Sequence, residues 1–469
     1  MEPTRPGSGS PLTRMRDRRD VLRLGAFYAA AGALAPLLAA CSPNGDGAGS
    51  AAPAAGTGAA APSGRITVLH GGGDPGAEPA LWKVYEDFRA TNPGVEWDIR
   101  ALQGGGPEFD RLARAAVASG EPVGLLMMDG QQVGGWARDG LLADLGADAQ
   151  LATVLGRVPE RFHLAGPGET AVRAFPLAVT RGVHTTGLYY NKALLDRAGL
   201  VPPKTISDLE AMVAPLSAMG AAPLVHCSGD VFFNTMLVTW LLPMIAERAG
   251  DPLEFAQRTV RGELRYDSPE WIEAFQAIAD LRASGVLLEG SGATDYATMQ
   301  QLLLQGTAAM TYNGSWMLAQ LLAGSPAAEF DLHVAPPPLV DGAPRPRPIL
   351  AWGGFALPAE AAASRDSVHA FLEYASRPDV DRAVVEGSQS WSPLPDSNVA
   401  IENEVAQEFL PMFEDAITPF DWLWEPEITA EIDTQVQALV KGETDPASVG
   451  MAIETVAEEL RSSGRSYSS

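Results

Sequence analysis

The chain has 469 residues, 46% hydrophobic and 19% charged: too long for one compact core, and apolar enough for two or three structural units. Its 33 basic and 58 acidic residues leave a net charge of −25, which repels polyanions and argues against a DNA or RNA partner. The only cysteines are Cys41 and Cys227, so a cysteine-built zinc site is excluded.

Residues 14–23, RMRDRRDVLR, form a basic stretch followed by the weakly apolar run LGAFYAAAGALAPLLAA. This is the order of a signal peptide, expected over residues 1–40. Leu38-Ala39-Ala40-Cys41 resembles a bacterial lipobox, whose cysteine becomes the lipid-modified first residue of the mature protein. Arg18-Arg19 resembles a twin-arginine export signal, departing from it at Asp17 and Val21. With Cys41 so used, Cys227 has no partner for a disulfide. Residues 42–64, SPNGDGAGSAAPAAGTGAAAPSG, carry no large apolar side chain and read as a leash with a reach of about 26 Å. Segment 41–64 is thus expected as a lipidated cysteine plus linker. It would hold the folded part at the outer face of the cell membrane.

The folded part opens with a short β-type run, 66–69, ending in a glycine-rich loop. Leu81, Val84, Tyr85 and Phe88 then recur at helical spacing, predicting a helix over 79–90 that stops at Asn92-Pro93-Gly94. A strand is predicted over 95–99, a helix over 108–119 and a buried strand over 123–128. This alternation is that of a parallel sheet flanked by helices, whose ligands sit beyond the carboxyl ends of the strands, here the loops at 70–74 and 129–132. Further strands are predicted at 171–178, 186–190, 308–312 and 331–335. Further helices are predicted from after 190 through 198 and at 207–218, 233–249, 269–284, 294–305, 367–376 and 447–462.

In that order, several blocks resemble the family 1 extracellular solute-binding proteins, which include maltose-binding protein. They are residues 66–92, GGWARDGLLADL at 134–145, FPLAVTRGVHTTGLYYNKALL at 175–195, QGTAAMTYNGSW at 305–316, residues 352–356 and residues 421–460. The resemblance covers about Arg65 to Ser462. It implies an α/β, two-lobe periplasmic-binding-protein-like fold, each lobe a mainly parallel sheet flanked by helices, joined by three interlobe crossings. Lobe one is expected as 65–180 plus 310–352, and lobe two as 181–309 plus 353–469. It further implies a monomeric extracytoplasmic receptor of an ABC importer that closes on a sugar or oligosaccharide and docks on membrane permease subunits. No cofactor and no catalytic step are expected.

A sugar site needs aromatic plates for C–H faces and polar groups for hydroxyls. In the resembled family, the Trp316 position, after Asn313-Gly314-Ser315, stacks on sugar. Trp422 and Trp424 match an aromatic pair placed in the cleft, and alternation would put both on one side of an extended segment. Phe232 and Phe233 match another pair. Trp352 and Trp391 sit among glycines or serines, in turns able to expose their rings. Asp74, Asp129 and Gln131 lie at strand ends, and Arg181 follows the first crossing. Each suits a hydroxyl, and Arg181 also suits a carboxylate. The family's best-known member carries acidic and basic residues at the positions of Gln131, Gln132 and Thr180, so its ligand is not carried over.

Gly71-Gly72-Gly73 matches no nucleotide loop, and the six histidines have no metal spacing. Adjacent His226 and Cys227 point apart in a strand, and Cys227 is expected as a buried free thiol. A rival class is a tethered carbohydrate-active enzyme, with Asp74 and Asp129 as paired carboxylates. Another is the same fold holding a polyamine, a phosphate ester or an amino-sugar.

Overall fold

The computed structural model describes residues 62–71, 79–102, 105–165, 170–324, 326–360 and 365–464, without the side chains of 105–108. The expected signal peptide, Cys41, all but the last residues of the linker, and Asp74 lie outside the described residues. All the described residues belong to one contact unit, Ala60–Ser469.

The N-terminal alternation folds as predicted. β1 (Gly64–Gly71) pairs in parallel with β2 (Val95–Leu102) and with β3 (Val123–Asp129). The connections are α1 (Pro79–Thr91) and α2 (Gly105–Ala118). α1 buries Leu81, Val84, Tyr85 and Phe88, the stripe its spacing predicts. Each such side chain contributes about 1.5–3 kcal/mol when removed from water. Pro93 cannot donate a ladder hydrogen bond and the helix ends before it, with Asn92 N–H and its side-chain amide both donating to Phe88 O.

β4 is only Ala174–Phe175. The predicted strand at 171–178 gives way to a 3-10 turn at Ala178–Thr180, after which β5 (Val183–Asn191) begins. β6 (Ala222–Leu224), β7 (Ala308–Gly314) and β8 (Leu332–Ala335) follow, and β9 is Leu350–Ala356. The strands run in the order β2-β1-β3-β9-β5-β7-β6, with β4 on β9 and β8 on β5. The parallel pairs are β1 with β2, β1 with β3, and β6 with β7. β5 and β9 add antiparallel pairs.

β9 is shared between the two halves. Leu350–Trp352 pair with Thr185–Val183 of β5, while Gly353–Ala356 pair with Asp129–Leu126 of β3. Residues 310–352, expected with the first lobe, contribute β7 and β8, which pair with β5. Residues 353–469, expected with the second, divide. The helix Arg365–Ala375 packs on α1 and β3, with Phe371 ring centroids 5.0 Å from Tyr85 and 4.8 Å from Trp97. The helices Pro426–Lys441 and Pro446–Ser462 pack on Pro269–Ala283 instead. Beside these lies the helix Thr235–Glu247, buried through Ala246, with Trp240 stacked 4.9 Å from Tyr312. The helix predicted over 207–218 breaks into Ile206–Ala211 and Val213–Ser217, the second containing Pro215, which supplies no N–H to a continuous ladder.

Candidate functional site around Asp129, Arg181 and Trp316

Where β9 passes from one set of strands to the other, the carboxyl end of β3 meets the start of β5. Asp129 closes β3 opposite Gly353, and its backbone N–H donates to Gln132 Oε1 (3.0 Å). Gln131 lies half-buried in the first turn of the helix that follows, α3 (Gly130–Arg138). Asp129 keeps surface that water reaches, yet protein surrounds it. That enclosure raises its carboxyl above the usual carboxylate range, against the pull of the Arg181 guanidinium.

Arg181 has φ 68°, a left-handed conformation costing a non-glycine residue about 1–2 kcal/mol. Such strain gathers at functional sites. Its Nη1 donates to Gly71 O (3.3 Å) at the end of β1. Its charge also reaches His184, which burial first and Arg181 second push down to about 4, so the imidazole is neutral at physiological pH. His184 Nδ1 lies 3.1 Å from Ser315 Oγ, and its ring meets Trp316 edge-on at 5.8 Å.

Trp316 is half-buried beside the Tyr296 phenol. Tyr296 in turn stacks on Phe233 at 4.6 Å and 9°. Asp230 Oδ2 accepts from Tyr296 N (2.7 Å) and ties the Val231–Phe233 turn to this group, with Phe232 40% exposed at its rim. On the other side, Trp422 is half-buried, its ring over Gly130 and met edge-on by Trp352 at 4.7 Å. Chain order hid His184 and Tyr296: nothing singles out His184 within the 175–195 block or marks Tyr296, and only packing brings them to Trp316.

The other sequence candidates fall elsewhere. Trp424 is a correction: it is 2% exposed, 5.6 Å from Trp271 in the core. The segment is not extended but forms a 3-10 turn at Phe420–Leu423, so alternation fails and the two indoles part. Asn313 is also enclosed, its Oδ1 accepting from Gly314 N (2.8 Å). Trp352 is buried between Phe162 and Trp422 and props the latter. Trp391 is buried against Phe413, and its carbonyl accepts from Val183 N (2.7 Å). It belongs to a tie across the crossing: a Cβ on Gly182 (φ 71°) would collide with that carbonyl oxygen, and Asp381 accepts from both Ala178 N (3.0 Å) and Ser392 Oγ (2.5 Å).

Two carboxyls stand behind the Trp422 turn. Asp421 Oδ1 is enclosed with no hydrogen-bond partner among the described residues, and burial pushes its carboxyl up to about 7. Asp433, raised first by burial, accepts from Thr235 N (2.9 Å) and feels Asp421. Cys227 is a buried free thiol, as expected, and burial pushes it up to about 12, leaving it a neutral thiol beside a neutral His226. Among the described residues no helix is long and apolar enough to cross a membrane.

The arrangement joins two half-exposed indoles, a carboxylate, a guanidinium and a neutral imidazole. Indole faces take apolar ring surfaces, and the polar groups accept and donate to hydroxyls.

The profile described as bacterial extracellular solute-binding protein matches residues 73–381. A probable sugar-binding periplasmic protein of Brucella suis is 24% identical over 265 residues, 55% of this chain and 58% of that one. The sn-glycerol-3-phosphate-binding periplasmic protein UgpB of Brucella abortus is 29% identical over 237 residues, 48% of this chain and 51% of that one. The chain thus spans little more than half the length of either relative. Among solved structures, the GacH receptor of Streptomyces glaucescens, described unliganded and with acarbose, superposes with a TM-score of 0.70 at 22% identity. That match covers 85% of this chain and 98% of the receptor. The match over 73–381 is most of the folded chain, and it takes in β3, the first crossing, β5 and β7 in their order; the protein belongs to the bacterial extracellular solute-binding proteins.

Proposed function

We propose that this protein is the extracytoplasmic receptor of an ABC importer, capturing a sugar or oligosaccharide between two lobes and passing it unchanged to a membrane permease. One lobe is built on β1–β4 with the helices of 365–388. The other is built on β5–β8 with the helices of 235–283 and 426–462. They meet at β9 and the first crossing, where Arg181 stands. Closure would bring the polar groups and plates of both lobes onto one ligand, which shifts the population toward the closed form. The signal peptide and Cys41 fit a lipid anchor outside the cell membrane, with residues 42–64 as its leash.

The observation that carries this reading is the pair of half-exposed indoles, Trp422 and Trp316, flanking the Asp129–Arg181–His184 group. A phosphate ester is the second ligand class, favoured by Arg181 and by the similarity to the sn-glycerol-3-phosphate-binding protein of Brucella abortus. Isothermal titration of the full chain against malto-, chito- and xylo-oligosaccharides, raffinose and sn-glycerol-3-phosphate decides between them. A sugar bound and recovered unchanged supports the receptor. Binding of the phosphate ester alone replaces the sugar, and an altered sugar after long incubation replaces the receptor with an enzyme.

A further inference from the structure

Both half-exposed indoles rest on glycines that their backbone does not require. Gly130 is absent from the residues with positive φ, and Gly314 has φ −84° and ψ 160°, extended backbone open to any residue. Space, not conformation, is therefore what excludes a side chain at each. A Cβ on Gly130 would lie 2.5, 2.7 and 2.8 Å from Cη2, Cζ2 and Cζ3 of Trp422. A Cβ on Gly314 would lie closer still, at nearly equal distances, to Cζ3, Cε3 and Cη2 of Trp316. An atom approaching the edge of a six-membered ring has one near carbon and clearly farther neighbours. Near-equality over three consecutive carbons instead puts each glycine against a ring face. Trp352 and His184 meet the same two indoles edge-on, at interplanar angles of 76° and 85°. Each indole thus has one face closed by backbone and a neighbouring ring fixing its tilt. Both rings stay only partly buried, so part of each is open to a ligand.

We propose that Gly130 and Gly314 are positioning residues, seats that press Trp422 and Trp316 flat against the backbone and turn one face of each outward to the ligand. The ligand's identity rests on the reading above; the seats are a property of this chain alone.

The test labels the ten tryptophans with a fluorinated analogue and assigns the Trp316 and Trp422 fluorine resonances by Trp→Phe replacement in the full chain. Gly130→Ala is expected to move the Trp422 resonance and Gly314→Ala that of Trp316, with the resonances of distant tryptophans unmoved. Resonances that stay in place overturn the proposal. Each glycine variant also weakens the binding of maltotriose, raffinose or chitotriose, whichever the parent binds, by at least about tenfold. Affinity kept at the parental value overturns the proposal. A rescue guards against variants that fold poorly. Gly314→Ala placed in a Trp316→Leu background, and Gly130→Ala in a Trp422→Leu background, should melt with the single tryptophan variant, since the methyl then occupies vacated space. Failure of that rescue gives the glycines another role and sinks the proposal. If no sugar binds the parent, the sugar reading falls, while the resonance and rescue measurements still decide the seats.

Discussion

Arg181 holds its left-handed backbone beside Asp129 and His184, a strained residue where charge and aromatic surface converge. Arg181→Gly removes about 1–2 kcal/mol of that strain. It should leave the melting temperature unchanged or raised while ligand affinity falls. A marked drop in melting temperature with affinity intact would assign Arg181 to the fold alone. Trp422→Ala should raise Kd roughly thirtyfold, from about 2 kcal/mol of lost stacking and burial. An unchanged Kd by titration would remove Trp422 from the site. Asp421 gives a pH signature. Its folded carboxyl, pushed up to about 7 from the ordinary 3.8, holds a proton that the unfolded chain has released. Its contribution to stability is complete below about pH 4 and drains as pH rises to about 7. Asp421→Asn should therefore be more stable than the parent at pH 8, by about 2 kcal/mol after allowing for partial exposure, and no more stable at pH 4. Denaturant melts at both pH values check it, and equal differences at both would refute the shift. Trp422 and Trp316 stood out through the family resemblance and Asp129 as a strand-end acid, whereas the turn contexts of Trp352 and Trp391 pointed to indoles that the fold buries. Trp424 was not separable from Trp422, because only the 3-10 turn decides which indole reaches water.

At the scale of elements, the crossing from Ala178 to Val183 is fastened to the segment at 381–392 by Asp381, Ser392 and the Trp391 carbonyl. Asp381→Ala leaves the Ala178 N–H and the Ser392 hydroxyl without their acceptor in a buried place, which costs about 2–3 kcal/mol. We expect that loss in denaturant melts, together with weaker ligand binding, since Arg181 follows the fastened turn directly. Asp381→Asn, which keeps one acceptor oxygen, should recover part of both. Loss of stability without any effect on binding would separate the tie from the site. Helix α1 was readable because its apolar residues recur every three or four positions, whatever lies against them. β9 carries no comparable signal. Its residues, LAWGGFA, do not say which half pairs where, and their partners, β5 and β3, lie more than a hundred residues earlier in the chain.

For the whole molecule, β9 and the first crossing join the two groups of strands, and closure about them is the motion the proposed function requires. Small-angle scattering should show a smaller radius of gyration when the sugar found by titration is added, and binding should carry a negative heat-capacity change from buried indole surface. An unchanged radius with saturated ligand would argue for a preformed site. The α/β class, the N-terminal alternation of strands and helices and the family are legible in the sequence alone. Those features depend on local periodicity, composition and block order, which survive without knowing what packs on what. Tertiary packing alone leaves Trp422 and Trp316 partly exposed while Trp424 and Trp391 are buried, brings His184 and Tyr296 to Trp316, and puts Gly130 and Gly314 beneath the rings. The physical reason is that exposure and ring contact depend on segments brought together from distant parts of the chain, and no window of local sequence contains both partners.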